Sequence, residues 1–148
     1  FVISYQRPLS VLIDKMIEWE DKYSVGVSII DEEHKKLIDI VNKVIVAKQN
    51  SDNPEEISKI LNEMMKYTHE HFKNEEAYMV KFNYPMYQYH REEHLDFSMR
   101  TLSYQSRVTN GDYHVANEIL EYLKRWLVNH IQKADQEYTD CFNKNGLK

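Results

Sequence analysis

Residues 53–82 read NPEEISKILNEMMKYTHEHFKNEEAYMVKF, and the fold follows from this stretch. Asn53 is placed to cap a helix, with Pro54 at its first position and Glu56 three residues after the cap, close to a capping box. From there Ile57, Ile60, Leu61, Met64, Tyr67, Met79 and Phe82 form one apolar stripe at helical spacing. Inside that stripe sit His71 and Glu75, four residues apart and so about 40° apart around a helix. The expectation is a long helix that turns two metal-binding side chain types inward.

The same organisation recurs on both sides. Upstream, Asp31 reads as an N-cap, with Glu32 and Glu33 in the first turn, where they suit the helix dipole. Leu37, Ile38, Val41 and Ile45 form that helix's stripe, with His34 at its start, and Asn50-Ser51-Asp52 ends it. Downstream, Asn83-Tyr84-Pro85 breaks the chain and Pro85 is expected to open a third helix. That helix carries Met86, Phe97, Thr101 and Tyr104, together with the pair His90 and His94, and stops before Asn110-Gly111. Asp112 is expected to cap a fourth, whose stripe is Ile119, Leu120, Leu123, Trp126, Leu127, Ile131, Tyr138 and Phe142. Short connections between long helices make neighbours antiparallel, which predicts an all-α, up-down-up-down four-helix bundle.

Composition agrees. A chain of 148 residues with 3 glycines and 3 prolines has little turn material for a many-stranded fold. One cysteine excludes an internal disulfide framework and a cysteine-based zinc finger. A net charge of −5 argues against nucleic-acid binding, and no apolar run approaches a membrane span. After Pro8, Leu9, Leu12, Ile13, Met16 and Ile17 share a helical face. Such a short helix either covers the bundle's own core or links it to an upstream domain. Residues 1–18 are therefore expected to be an N-terminal extension or linker, and 19–148 the bundle domain. The opening run Phe1-Val2-Ile3-Ser4-Tyr5 lacks the basic start of a signal peptide, and a cytoplasmic location is expected.

The histidines are not scattered. His34, His71, His90, His94 and His130 fall within the apolar stripes, one or two on each helix, with Glu75 and Asp135 beside them. A lone histidine on an apolar face is ordinarily a satisfied core residue. Five buried imidazoles without partners would cost several kcal/mol, roughly, and metal removes that cost. Bundle cores build metal sites in this way from facing helices. Seven side chains exceed what one six-coordinate ion accepts. With two bridging carboxylates and a bridging oxide or hydroxide, two octahedral ions are left with a single open position. Imidazole and carboxylate without thiolate suit iron, manganese or zinc, and of these iron and manganese add redox chemistry. His130 and Asp135 are five apart, about 140° around a regular helix. Either the site lies between their directions or a π-bulge restores the register.

Trp19-Glu20, the run Tyr23-Ser24-Val25-Gly26-Val27 and Ile30-Asp31-Glu32-Glu33-His34 open a longer pattern. It continues through His71-Phe72-Lys73-Asn74-Glu75-Glu76, His90 and His94, and Trp126-Leu127-Val128-Asn129-His130-Ile131 with Asp135. In this order, over residues 19–138, the sequence resembles the hemerythrin family, its bacterial members above all. The resemblance implies two iron ions that bind O2 reversibly. His90, His94 and His130 would hold one iron and His34 and His71 the other, which keeps the open position. Glu75 and Asp135 would bridge them beside an oxo or hydroxo group. In the family O2 takes two electrons from the iron pair and its proton from the bridging hydroxide, so no catalytic acid is implied. Leu37, Phe72, Trp126, Leu127 and Ile131 match the apolar wall of the O2 pocket, which keeps water out and slows autoxidation. Nitric oxide and small anions such as azide are further expected ligands.

Two other functions compete. The same centre would serve as a sensor of O2, redox state or nitric oxide if an upstream signalling or membrane domain is its partner, and the N-terminal extension favours this. A di-iron oxidase or peroxidase is disfavoured, because the Glu-x-x-His motif of ferritin-like oxidases is absent. The residues three before His94, His34 and His130 are Arg91, Asp31 and Leu127. Outside the constellation, His69 points about 200° from His71 and reads as surface. His114 reads as solvated and Cys141 as a small half-buried residue. Tyr67, Tyr78, Tyr104 and Tyr122 read as packing, and Lys35-Lys36 and Glu92-Glu93 as solvated faces.

Overall fold

The computed structural model describes residues 15–50 and 53–148. Asn53 caps its helix as expected, its Oδ1 accepting from the Glu55 and Glu56 amides at 2.9 and 3.3 Å. Helix α1 is Ser28–Gln49. Helix α2 covers residues 54–81, with a wide π segment, Thr68–Phe72, between Pro54–Tyr67 and Lys73–Lys81. Helix α3 is Tyr87–Thr109. Helix α4 covers residues 116–144: Ala116–Trp126, a π segment Leu127–Ala134, a 3-10 turn Asp135–Tyr138, and Thr139–Lys144. There is no strand among the described residues.

Helix α1 packs on α2 and α4, and α2 on α3. Side chains close the ring between α3 and α4, with Phe97 edge-on to Trp126 at 4.8 Å and the Tyr122 hydroxyl donating to Asp96 at 3.3 Å. The result is an all-α four-helix bundle. The expected stripes are buried, except that Phe82 is half-buried and Met86 is exposed.

Three helix starts differ from expectation, two of them because an aspartate side chain serves the preceding loop. Asp31 lies inside the first turn of α1, where its carboxylate accepts from the Ser24 hydroxyl at 2.6 Å and the Val25 amide at 2.8 Å. Pro85 belongs to the turn before α3, which begins two residues later. In that turn Asn83 takes φ 52°, a left-handed conformation that asparagine tolerates. Asp112 accepts from the His114 amide and from Arg107, and so shapes the loop rather than capping α4, which begins at Ala116.

The loop into α1 crosses the end of α4 closely. Gly26 has φ 70°, and a Cβ there would lie 2.8 Å from Thr139 Cγ2. The Thr139 hydroxyl donates to the Val25 carbonyl across the same contact. Upstream, Asn42 holds the Ile17 backbone through two hydrogen bonds, at 2.7 and 2.9 Å, and Ile17 and Trp19 pack against the core. The helix expected after Pro8 lies, for Leu9, Leu12 and Ile13, outside the described residues, whereas Met16 and Ile17 are not helical. No described helix is long and apolar enough to cross a membrane.

Two apolar clusters fill the bundle with a polar layer between them. Ile30, Met79, Tyr84, Tyr138 and Phe142 belong to one, and Leu37, Tyr67, Phe72, Phe97, Trp126 and Ile131 to the other. Along every helix the polar residues fall where the chain passes from one cluster to the other. Buried polar groups at such a level are costly unless partnered.

Candidate metal centre

His34, His71, Glu75, His90, His94, His130 and Asp135 are all buried, and the structure brings all seven together. Their donor atoms form two groups that share Glu75: one with His34 and His71, the other with His90, His94, His130 and Asp135. Each carboxylate divides its oxygens between the two. Glu75 Oε2 lies 3.7 Å from His34 Nε2 and 3.3 Å from His71 Nε2, and Oε1 lies 3.0 Å from His94 Nε2. Asp135 Oδ2 lies 3.2 Å from His34 Nε2, and Oδ1 lies 2.7 Å from His90 Nε2 and 3.0 Å from His130 Nε2.

His90 Nε2 is hydrogen-bonded to Asp135 Oδ1 at 2.7 Å, but several of the other donor atoms crowd together without aiming at one another. His34 Nε2, His94 Nε2, His130 Nε2, Glu75 Oε1 and Asp135 Oδ2 are buried and make no hydrogen bond of proper geometry. Lone pairs converging on shared space are what a cation requires, and the nitrogen and oxygen donor set fits a first-row transition metal. Electrostatics agree. Burial favours the neutral acids, yet the charge of His71 and the close approach of the His34, His71 and His94 imidazoles hold Glu75 well below the ordinary carboxylate range. Asp135 is lowered too: burial and the Glu75 charge oppose ionisation, and His130 and His34 outweigh them. Burial pulls the imidazoles down, but the same carboxylates raise His34 to about 9 and His130 to about 10. Without metal, the two buried anions draw protons into the space a cation would fill.

The wide turns explain the spacing that a regular helix does not. His130 lies in the π segment of α4 and Asp135 directly follows it, so a five-residue separation still turns both side chains toward the site. The second π segment, around His71, carries no comparable signal in the sequence.

Two carboxylates absent from the expected site hold its histidines from outside, and a third lies close to another. Glu33 meets His71 Nδ1 at 2.8 Å, Glu93 meets His130 Nδ1 at 2.8 Å, and Glu76 lies 3.4 Å from His94 Nδ1. Each sits next to a site residue on its own helix and reaches a histidine on another. That corrects the view of Glu93 as a solvated face. Adjacency to His34, Glu75 and His94 was the available signal. Tyr138 was also missed: it lies three residues after Asp135, and its hydroxyl donates to Glu75 Oε2 at 2.8 Å. Aromatic rings fix the imidazole planes, Phe72 stacking on His94 and Trp126 on His130, both at 4.0 Å, and Tyr67 on His71 at 4.8 Å. Leu37, Phe72, Trp126, Leu127 and Ile131 are buried in the adjoining apolar cluster. His69 and His114 are exposed, as expected, and Cys141 is half-buried with its thiol near the Phe82 carbonyl.

A four-helix bundle with buried histidines and carboxylates shared between two donor groups defines a class of metal-binding protein, and comparison with known proteins places the chain within it. Residues 25–141 match the Hemerythrin HHE cation binding domain, and the chain belongs to the hemerythrin family. It is 33% identical over 125 residues to the bacteriohemerythrin of Stenotrophomonas maltophilia (strain R551-3), covering 84% of this chain and 80% of that one. With the bacteriohemerythrin of Clostridium acetobutylicum it shares 31% identity over 129 residues, covering 84% of this chain and 100% of that one. The crystal structure of wild-type hemerythrin superimposes with a TM-score of 0.77 at 30% identity, covering 86% of this chain and 98% of that one.

Proposed function

We propose that the chain binds O2 reversibly at a pair of iron ions and is not an enzyme in its main role. His90, His94 and His130 would hold one iron, His34 and His71 the other, and Glu75 and Asp135 would be shared between them. The observation that carries this reading is the division of each carboxylate's oxygens between the two imidazole sets. Five imidazoles distributed three and two would leave the His34 and His71 side with room for a small ligand. When bound, the iron pair supplies the two electrons that O2 takes up on binding.

The protein's own residues orient and protect. Glu33 and Glu93 accept from the Nδ1–H groups of His71 and His130, which fixes the tautomer and turns each Nε2 lone pair inward. Tyr138 anchors Glu75 from the far side. Leu37, Phe72, Trp126, Leu127 and Ile131 exclude water from the ligand side. We place the domain boundary near Trp19 and the protein in the cytoplasm.

The test is spectroscopic. Iron-loaded protein, reduced without air and then exposed to O2, should gain a visible band that disappears on removing O2. Two iron atoms per chain are expected. A chain that takes up one zinc in preference to iron, or that oxidises irreversibly on first contact with air, overturns the proposal.

A further inference from the structure

One helical turn from the site, on the side of the larger apolar cluster, a layer of four side chains lies against both donor groups. On α1 and α3 this layer lies three residues after a histidine, at Leu37 after His34 and Phe97 after His94. On the antiparallel α2 and α4 it lies four residues before one, at Tyr67 before His71 and Trp126 before His130. The rings meet, with Phe97 at 4.8 Å from Trp126 and 6.2 Å from Tyr67. Every side chain in the layer is buried.

Its side chains contain two polar atoms, the Tyr67 hydroxyl and Trp126 Nε1, and neither has a hydrogen-bond partner. An orphaned buried hydroxyl is destabilising, and phenylalanine would pack there without that cost. The two donors differ in what they cover. Trp126 stacks on His130, in the group that already holds three imidazoles. Tyr67 stacks on His71, at 4.8 Å with the planes 23° apart, in the group with fewer side chains. Tyr67 is 5% exposed, so its hydroxyl is not reserved for bulk water.

We infer that the Tyr67 hydroxyl donates a hydrogen bond to a small ligand held on the His34 and His71 side. It thereby selects ligands that are anionic or that gain negative charge on binding. Tyr67 is thus a specificity-determining residue as well as a packing one. This rests on the reading of the site as a metal centre open on that side.

The experiment compares the full chain with Tyr67→Phe, which keeps the ring and removes the donor. In iron-loaded protein, azide affinity should fall about tenfold, the worth of one hydrogen bond to a charged group. The infrared stretch of bound azide should shift between H2O and D2O in the wild-type protein and not in the variant. In metal-free protein the variant should melt at a higher temperature, because the orphaned hydroxyl is gone. Equal azide affinity with no isotope difference overturns the inference and leaves the iron centre standing. A metal-free variant that melts lower than wild type also overturns it, since the hydroxyl would then have a partner within the protein. A wild-type chain that takes up no iron overturns the proposed function and this inference together.

Discussion

Removing the carboxylate of Glu33 should weaken metal binding without removing any metal ligand. Glu33 accepts from His71 Nδ1 at 2.8 Å with its side chain 14% exposed, so the bond is charge-assisted and mostly shielded from water. Loss of such an outer partner lowers metal affinity by about 10- to 100-fold, or roughly 1.4–2.7 kcal/mol. Glu93 makes the same bond to His130 at the same distance but is 27% exposed, and water replaces more of what is lost. Glu33→Ala should therefore fall near the upper end of that range and Glu93→Ala near the lower. Glu33→Gln keeps an acceptor without the charge and should lie between Glu33→Ala and wild type. Glu92→Ala is the control, because that residue is exposed on the same helix as Glu93. The assay is anaerobic titration of Fe(II) into metal-free protein against a competing chelator. Indistinguishable affinities for Glu33→Ala and Glu92→Ala would refute the idea that these carboxylates fix the imidazoles for metal.

Further predictions concern stability. Tyr138→Phe leaves the buried Glu75 Oε2 without its donor at 2.8 Å and should cost about 1.5–3 kcal/mol in urea denaturation of the metal-free chain; a change below about 0.5 kcal/mol would mean that the contact is incidental. Gly26→Ala meets both the φ of 70° and Thr139 at 2.8 Å. It should lose about 1–3 kcal/mol, read by the same method, and a neutral result would show that the loop shifts freely. His34 and His130 have metal-free values raised to about 9 and about 10. Their contribution to stability is fully present below the unfolded histidine value and is lost as pH rises through the folded values. Melting temperature of the metal-free chain should thus fall from about pH 6.5 to about pH 10, and bound metal should remove the fall; a flat profile would contradict it.

What could be read from the sequence was what depends on residues near in the chain. Asn53 and Pro54 announce a helix start because cap and amides lie within three residues of each other. The stripes and the inward histidines follow from periodicity, which with Glu75 places six residues of the centre in the bundle core, whereas Asp135, about 140° from His130 on a regular helix, is assigned only through the resemblance. Asp31 shows the limit. Its residue type suits a cap, but its carboxylate is taken by Ser24 and Val25, a loop closure that depends on how residues 24–31 fold back. Glu33, Glu76 and Glu93 were hidden for a related reason: a carboxylate beside a ligand on one helix finds its partner on another, and only the assembled bundle shows which. The Tyr67 ring was legible as packing, whereas the isolation of its hydroxyl is a property of its neighbours.

The wide turn at Leu127–Ala134 makes the count of residues between His130 and Asp135 a poor guide to their distance in space. One residue there is supernumerary: five positions accomplish what four accomplish between His71 and Glu75 or between His90 and His94. Removing one residue from such a turn would return it to the regular helical spacing, with the two side chains still facing one way. The centre is therefore compatible with either interval, and helical turns between the paired residues describe it better than a residue count.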